Sequence, residues 1–248
     1  MIKYLQKILI IFRITKRSLT YNILKSLFLF LENFLFNIYI FFKKIRFYFS
    51  DYVRVKKFSS YELYIENQLK KTSNQNLRRG WLEKNNYNKK TKAFIVFFNK
   101  NKNILKKSKQ TLAIGARTGN EVLAIRSFGC NCIGVDIFPY KDLVLKGDMH
   151  DLPFKDKQFD FIFTNVLDHS LYPRKFFREA HRVLKKNGYL LIHMLVDFDN
   201  DEYSVTNITN INQMKKLAID FNVVSIINTD HKSFSFFHFN KEFLFRKK

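Results

Sequence analysis

From Thr111 onward the chain alternates short apolar runs with segments of helical period. Thr111 to Gly115 reads as a strand, Asn120 to Phe128 as a helix closed by Gly129, and Cys132 to Ile137 as a second strand. Leu143 to Lys146, Phe159 to Val166 and Tyr189 to Val196 follow as further strands. Pro173 opens a helix that runs to Lys186, with Phe176, Phe177, Ala180, Val183 and Leu184 on one side and Asn187-Gly188 as its stop. Ile208 to Phe221 reads as a helix, and Asn222 to Asn228 and Lys232 to Phe239 as two strands whose short connection forces antiparallel pairing. Strands that alternate with helices imply an α/β fold with a mostly parallel sheet covered on both faces.

The N-terminal pattern is different. Residues 1 to 17 place Ile2, Leu5, Ile8, Leu9 and Phe12 at helical spacing among lysines and arginines, as in a cationic amphipathic helix. Ser26 to Phe42 is an apolar run whose one charge is Glu32, marginal in length for a span of about 20 residues. A signal peptide fits poorly, because Ile8 to Phe12 is short and no small-residue cleavage site follows. Three roles remain open for this run: a cap on the folded domain, contact with a membrane surface, or a span. Tyr61 to Lys71 and Lys92 to Lys107 read as helices, with Gly80 as a breaker between them. The expected organisation is an apolar, basic helical region over 1–60, a helical lid or linker over 61–110, and the α/β domain over 111–248.

Charge sharpens this division. The chain of 248 residues carries 44 Lys plus Arg against 21 Asp plus Glu, a formal +23. Through Gln110 the counts are 25 against 5, or +20; after it they are 19 against 16, or +3. A compositional bias toward Lys, Asn, Phe and Ile explains much of the basicity but not the scarcity of acid before Gln110. An anionic membrane surface is the expected partner, by way of Lys16, Arg17, Lys25, Lys43, Lys44 and Arg46. Nucleic-acid binding through Arg78, Arg79, Trp81 and the following lysines is disfavoured, since a charge run is usually a solvated face. Cys130 and Cys132, two residues apart, suit neither a disulfide nor a zinc site and read as buried thiols of a reducing, cytoplasmic compartment.

Ligands of a parallel sheet bind at the carboxyl ends of its strands. There stand Gly115-Ala116-Arg117-Thr118-Gly119, a turn whose glycines allow close backbone approach, and Asp136, 21 residues after Gly115. Gly147-Asp148-Met149 with Leu152-Pro153-Phe154 ends the third strand, and Asn165-Val166-Leu167-Asp168-His169 the fourth. A glycine turn with an acid about 20 residues on could also serve a nicotinamide cofactor.

In this order, the motifs from Thr111 to about Val196 resemble the class I S-adenosylmethionine-dependent methyltransferases of the type 11 domain. The resemblance implies a Rossmann-like methyltransferase sandwich, a mostly parallel seven-stranded sheet with an antiparallel last strand, plus the N-terminal helices. It implies that Gly115, Ala116, Arg117 and Gly119 wrap the methionine part of S-adenosylmethionine and that Asp136, with Ile137 beside it, binds the ribose hydroxyls. Asp148 accepts from the adenine amino group, the Met149 backbone N–H meets the ring, and Asn165 and Val166 line the wall beside the sulfonium. Arg178 to Lys185 with Asn187-Gly188-Tyr189 resembles the helix and turn into the fifth strand. Two positions depart from the family: Ala113 stands where an acid is usual and Arg117 where a glycine is. Either the cofactor sits slightly differently or the site no longer binds it; a constructive reading is that the Arg117 guanidinium pairs with the cofactor's carboxylate.

The expected function is methyl transfer by in-line displacement to an unidentified small-molecule or lipid-linked acceptor. The alternative is a non-catalytic, membrane-associated binding or scaffolding protein that keeps the fold. The catalytic residue is not identified. Candidates for a base are His169, Asp168, His150 and His193. Of these, His169 reads as capping or packing beside the cofactor, His193 as a satisfied core histidine, and His150 as facing solvent. No metal is expected.

Overall fold

The computed structural model describes residues 19–48, 52–196, 202–229 and 239–248, and the chain divides into two compact units, 1–50 and 51–248. The expected helix over residues 1–17 lies outside the described residues. In the first unit, helix α1 covers Leu19–Tyr48, well beyond the apolar run Ser26 to Phe42. Its 18-residue window Lys25–Phe42 has a mean hydropathy of 1.4 and none of it is buried, Phe30 and Phe42 being 68% and 64% exposed.

The second unit opens with strand β1 (Arg54–Val55) and helices α2 (Tyr61–Thr72), α3 (Gln75–Leu82), α4 (Lys84–Asn99) and α5 (Lys102–Leu105). Ser60 caps α2 by accepting from the Leu63 N–H, and Glu83 caps α4 by accepting from Asn85 and Asn86. Two expectations are corrected here. Gly80 does not break a helix: it lies inside α3 with open space around it, and the break falls at Glu83. The helix expected over Lys92 to Lys107 instead starts at Lys84 and stops at Asn99, because Asn101 turns its side chain inward to donate to Glu242 at 3.1 Å.

The sheet is built from β2 (Gln110–Ile114), β3 (Asn131–Asp136), β4 (Val144–Lys146), β5 (Phe159–Thr164), β6 (Leu184–Met194), β8 (Phe221–Asn228) and β9 (Lys241–Lys247). Between them come α6 (Asn120–Arg126), α7 (Pro173–Val183), the short β7 (Thr206–Asn207), which pairs with β1, and α8 (Ile211–Leu217). The strand order is β4-β3-β2-β5-β6-β9-β8, parallel except for β9, which is antiparallel to both neighbours. The order reverses between β3 and β5 on either side of β2, which places the ligand crevice at the carboxyl end of β2.

Three boundaries differ from the pattern. Helix α7 ends at Val183 rather than Lys186, because Leu184 is fully buried, turns extended and pairs with Phe159. The helix expected from Ile208 begins at Ile211, where Asn210 caps it; Ile208 itself is a fully buried core residue. The hairpin partner expected over Lys232 to Phe239 is β9, at Lys241–Lys247; residues 230–238 lie outside the described residues.

The core has two layers, one on each face of the sheet. Phe176, Phe177, Ala180 and Val183 of α7 pack with Leu112, Ile114, Leu190 and Phe243 on one face. Phe94, Phe97 and Phe98 of α4, with Leu105 of α5, pack against Ala113, Phe161 and Phe163 on the other. Burying such side chains contributes on the order of 1.5–3 kcal/mol each, so α4 and α5 are part of the sheet's core. Ala113, where the family pattern carries an acid, is one of these fully buried residues. Cys130 and Cys132 are free and buried.

Candidate functional site

The first turn after β2 is held by its glycines. Gly115 has φ +76° and Gly119 φ +80°, and a Cβ on Gly115 would sit 2.2 Å from Val166 Cγ2. Helix α4 clamps the same turn from outside. The Tyr87 hydroxyl donates to the Thr118 carbonyl at 3.0 Å, and Asn120 Nδ2 donates to the Tyr87 carbonyl and the Thr91 hydroxyl. Arg117 adopts φ +43° and lays its guanidinium 4.3 Å from the centre of the Trp81 ring. A left-handed arginine costs roughly 1–2 kcal/mol, and a cation–π contact of about 0.5–1 kcal/mol offsets part of that.

Asp136 ends β3 with its carboxylate already oriented. Oδ2 accepts the Arg117 backbone N–H at 3.1 Å and Oδ1 that of Phe138 at 3.0 Å. Burial pushes its carboxyl up, against these hydrogen bonds and the charges of Arg117 and Arg78. Arg78 stacks on Phe138 at the rim, 4.5 Å from the ring centre.

Asp148 is more heavily engaged. Oδ1 accepts the His150 backbone N–H at 2.8 Å and lies 3.0 Å from His150 Nδ1, while Oδ2 accepts the Tyr61 hydroxyl. Burial alone would raise its carboxyl; the hydrogen bonds from His150 and Tyr61 outweigh that and hold it at about 2. His150 is therefore not at the surface, as its loop position suggested: it is 1% exposed, with Nε2 2.8 Å from the Ser170 hydroxyl.

These groups meet in one cleft that is open to solvent. Gly115, Arg117, Asp136, Ile137, Asp148, Met149 and Val166 line it. Ala116 is not among the lining residues; it is 1% exposed and packs in the core. Gly119, at the start of α6, and Asn165 also lie off the lining.

Of the residues considered as bases, His169 alone lines the cleft. Its Nδ1 stands 3.1 Å from the Tyr203 carbonyl, so Nδ1 carries the proton and Nε2 keeps a lone pair in the neutral ring. Asp168 Oδ2 lies 3.8 Å from that Nε2 and accepts from the Ser204 hydroxyl at 2.8 Å. His193 is satisfied only in part: Nε2 pairs with Glu242 at 2.7 Å, but Nδ1 is buried without a hydrogen-bond partner among the described residues.

Four further lining residues come from α2: Tyr64, Gln68, Lys71 and Thr72. Tyr64 donates to the His169 carbonyl at 3.0 Å and Gln68 to the Tyr203 carbonyl at 3.0 Å. The apolar period of α2 gave its helical character, but no local motif marks which of its residues reach the site.

The family model for the type 11 methyltransferase domain matches residues 112–192. Over these residues, about a third of the chain, the sequence is similar to the class I methyltransferase domain. An uncharacterized protein of Methanocaldococcus jannaschii is 37% identical over 86 residues, which are 34% of this chain and 40% of that protein, so the chain spans less than half the length of this relative. The Burkholderia thailandensis 1,6-didemethyltoxoflavin-N1-methyltransferase, solved with 1,6-didemethyltoxoflavin and S-adenosylhomocysteine, shares the fold at a TM-score of 0.59. It is 13% identical and covers 77% of this chain and 92% of its own. A methyltransferase from Methanosarcina mazei is 15% identical at a TM-score of 0.49, covering 58% of this chain and 95% of its own.

The cofactor of the methyltransferase domain is S-adenosylmethionine, and the residues present fit it. The Gly115 turn leaves no space for a side chain beside Val166. Two carboxylates, Asp136 and Asp148, line the same cleft, each fixed by protein donors with acceptor capacity to spare.

Proposed function

We propose that the chain is an S-adenosylmethionine-dependent methyltransferase acting on a small-molecule or lipid-linked acceptor. When bound, the cofactor supplies an electrophilic methyl on a sulfonium. In this reading Asp136 accepts from the ribose hydroxyls, Asp148 from the adenine amino group, and the Met149 N–H meets the ring. Val166 walls the cleft beside the reacting centre, and the Arg117 guanidinium holds the cofactor's carboxylate. Orientation supplies most of the catalysis in such a displacement.

His169 is the residue placed to take a proton from the acceptor. The observation that carries this is the pairing of its Nδ1 with the Tyr203 carbonyl, which leaves Nε2 basic beside the cleft. Asp168, 3.8 Å away, stabilises the imidazolium that forms. The acceptor atom is then one that must lose a proton to become nucleophilic. Helix α2 forms the lid, since its Tyr64, Gln68, Lys71 and Thr72 line the cleft.

The N-terminal region, with the unburied apolar helix α1 and most of the net charge, serves to hold the enzyme against an anionic membrane surface at the cytoplasmic side. A lipid-linked acceptor fits that placement. The test is transfer of labelled methyl from S-adenosylmethionine into soluble and lipid fractions of a cell extract. Label should enter a fraction with the wild-type chain, and His169→Gln should reduce transfer by roughly 10²–10⁴-fold without changing S-adenosylhomocysteine affinity. Cofactor binding with no transfer to any fraction would favour the non-catalytic binder instead.

A further inference from the structure

Asp148, Tyr61 and His150 form a closed hydrogen-bonded triangle between the loop after β4 and the first residue of α2. The Tyr61 hydroxyl donates to Asp148 Oδ2 and its oxygen lies 2.8 Å from His150 Nδ1. His150 Nε2 accepts the Tyr172 backbone N–H at 3.2 Å, so that nitrogen carries no proton and Nδ1 does. Nδ1–H therefore faces both Asp148 Oδ1, 3.0 Å away, and the Tyr61 oxygen at 2.8 Å. The Tyr61 ring stacks on Tyr172 with its plane tilted by only 6°, and the His150 ring meets Tyr61, Tyr64 and Tyr172 edge-on. Each partner's orientation is thus fixed by a second contact.

The triangle has a chemical consequence. A carboxylate that takes three protein donors is held in its ionised form and can only accept. Facing the cleft, it calls for a ligand group that donates. A purine with a 6-amino group supplies one, whereas a 6-oxo purine brings an acceptor and leaves two lone-pair faces opposed. The same hydroxyl also ties the start of α2 to the loop, and α2 is the helix whose Tyr64, Gln68 and Thr72 line the cleft.

We propose that Tyr61 and His150 are positioning residues which aim Asp148 at a 6-amino purine, and that the Tyr61 hydroxyl simultaneously latches helix α2 over the bound cofactor. Base selection and closure of the helix are then one device. This rests on the reading of the cleft as the cofactor site.

The test compares S-adenosylhomocysteine with S-inosylhomocysteine on the full chain by calorimetry. Tyr61→Phe keeps the ring on Tyr172 and removes only the hydroxyl. The wild-type chain should prefer the adenine form, and Tyr61→Phe should weaken that form roughly tenfold, the loss expected for one hydrogen bond to a charged group, with the inosine form unchanged. A merely structural tyrosine would weaken both ligands in proportion, and an unchanged ratio of affinities overturns the proposal while leaving the cofactor site intact. Binding of neither ligand by the wild-type chain would overturn the cofactor reading and this proposal together. Hydrogen exchange of residues 61–72 gives a second readout. S-adenosylhomocysteine should slow exchange there in the wild-type chain and not in Tyr61→Phe, and equal protection in both would remove the latch.

Discussion

Arg117 donates its backbone N–H to Asp136 Oδ2 across 3.1 Å, which makes the left-handed turn after β2 and the carboxylate at the end of β3 one unit. The Arg117 guanidinium lies over the Trp81 ring, 4.3 Å from its centre, at the cleft lining. Arg117→Gly keeps the N–H, relieves the left-handed backbone and loses the stack, so its effect on the melting temperature should be small. Affinity for S-adenosylhomocysteine should nevertheless fall about tenfold, as one charge-assisted contact is lost. Trp81 is the single tryptophan of the chain, so its emission reports both the stack and a titration with the ligand.

Gly115→Ala places a methyl 2.2 Å from Val166 Cγ2 at a φ of +76°. Overpacking and the left-handed penalty together should cost roughly 2–5 kcal/mol. Chemical denaturation checks the loss. Val166→Ala in the same chain should recover the overpacking part and leave the backbone part.

Much of the site is visible in the sequence because it is local to strand-turn-helix units. Gly115 and Asp136 follow an apolar run directly and Asp148 stands two residues past the end of its strand, so the period of the strands places them at the carboxyl edge. What escapes the sequence are contacts made across long separations. Tyr61 reaches Asp148 over 87 residues and Tyr64 reaches His169 over 105. Nothing in the pattern around Tyr61 distinguishes a residue with such a contact from an ordinary exposed aromatic. The break at Asn101 is hidden for the same reason, since its partner Glu242 lies 141 residues away. His150 sits in a polar loop and reads as solvated, and only the ring of tyrosines from two other elements buries it.

The His193–Glu242 pair sets a pH dependence of stability. Burial pushes His193 below its ordinary value, with Glu242 opposing; burial would raise Glu242, but the His193 and Asn101 hydrogen bonds hold it low. The unfolded chain takes up a proton near pH 6.5 and the folded chain does not, so stability is intact above that pH. Below it, stability is lost at up to about 1.4 kcal/mol per pH unit as pH falls. Melting temperatures between pH 7.5 and 5 should show this, and the double substitution His193→Leu with Glu242→Leu should make the fall shallower. An identical slope in both chains would assign the dependence to other groups.

Helix α1 and the basic residues around it predict sedimentation with vesicles containing anionic lipid, weakening as salt rises. Removal of residues 1–50, which form a unit of their own, should abolish it. Sedimentation that survives the deletion would place the membrane contact elsewhere.

The cleft at the carboxyl ends of β2, β3, β4 and β5 is tested most directly by calorimetry of S-adenosylhomocysteine with the intact chain and with Asp136→Ala. The wild-type chain should release heat at one site. Asp136→Ala, which removes the acceptor for two hydroxyls, should bind roughly 10–100-fold more weakly. No heat from the wild-type chain, or an affinity that Asp136→Ala leaves unchanged, would contradict the assignment.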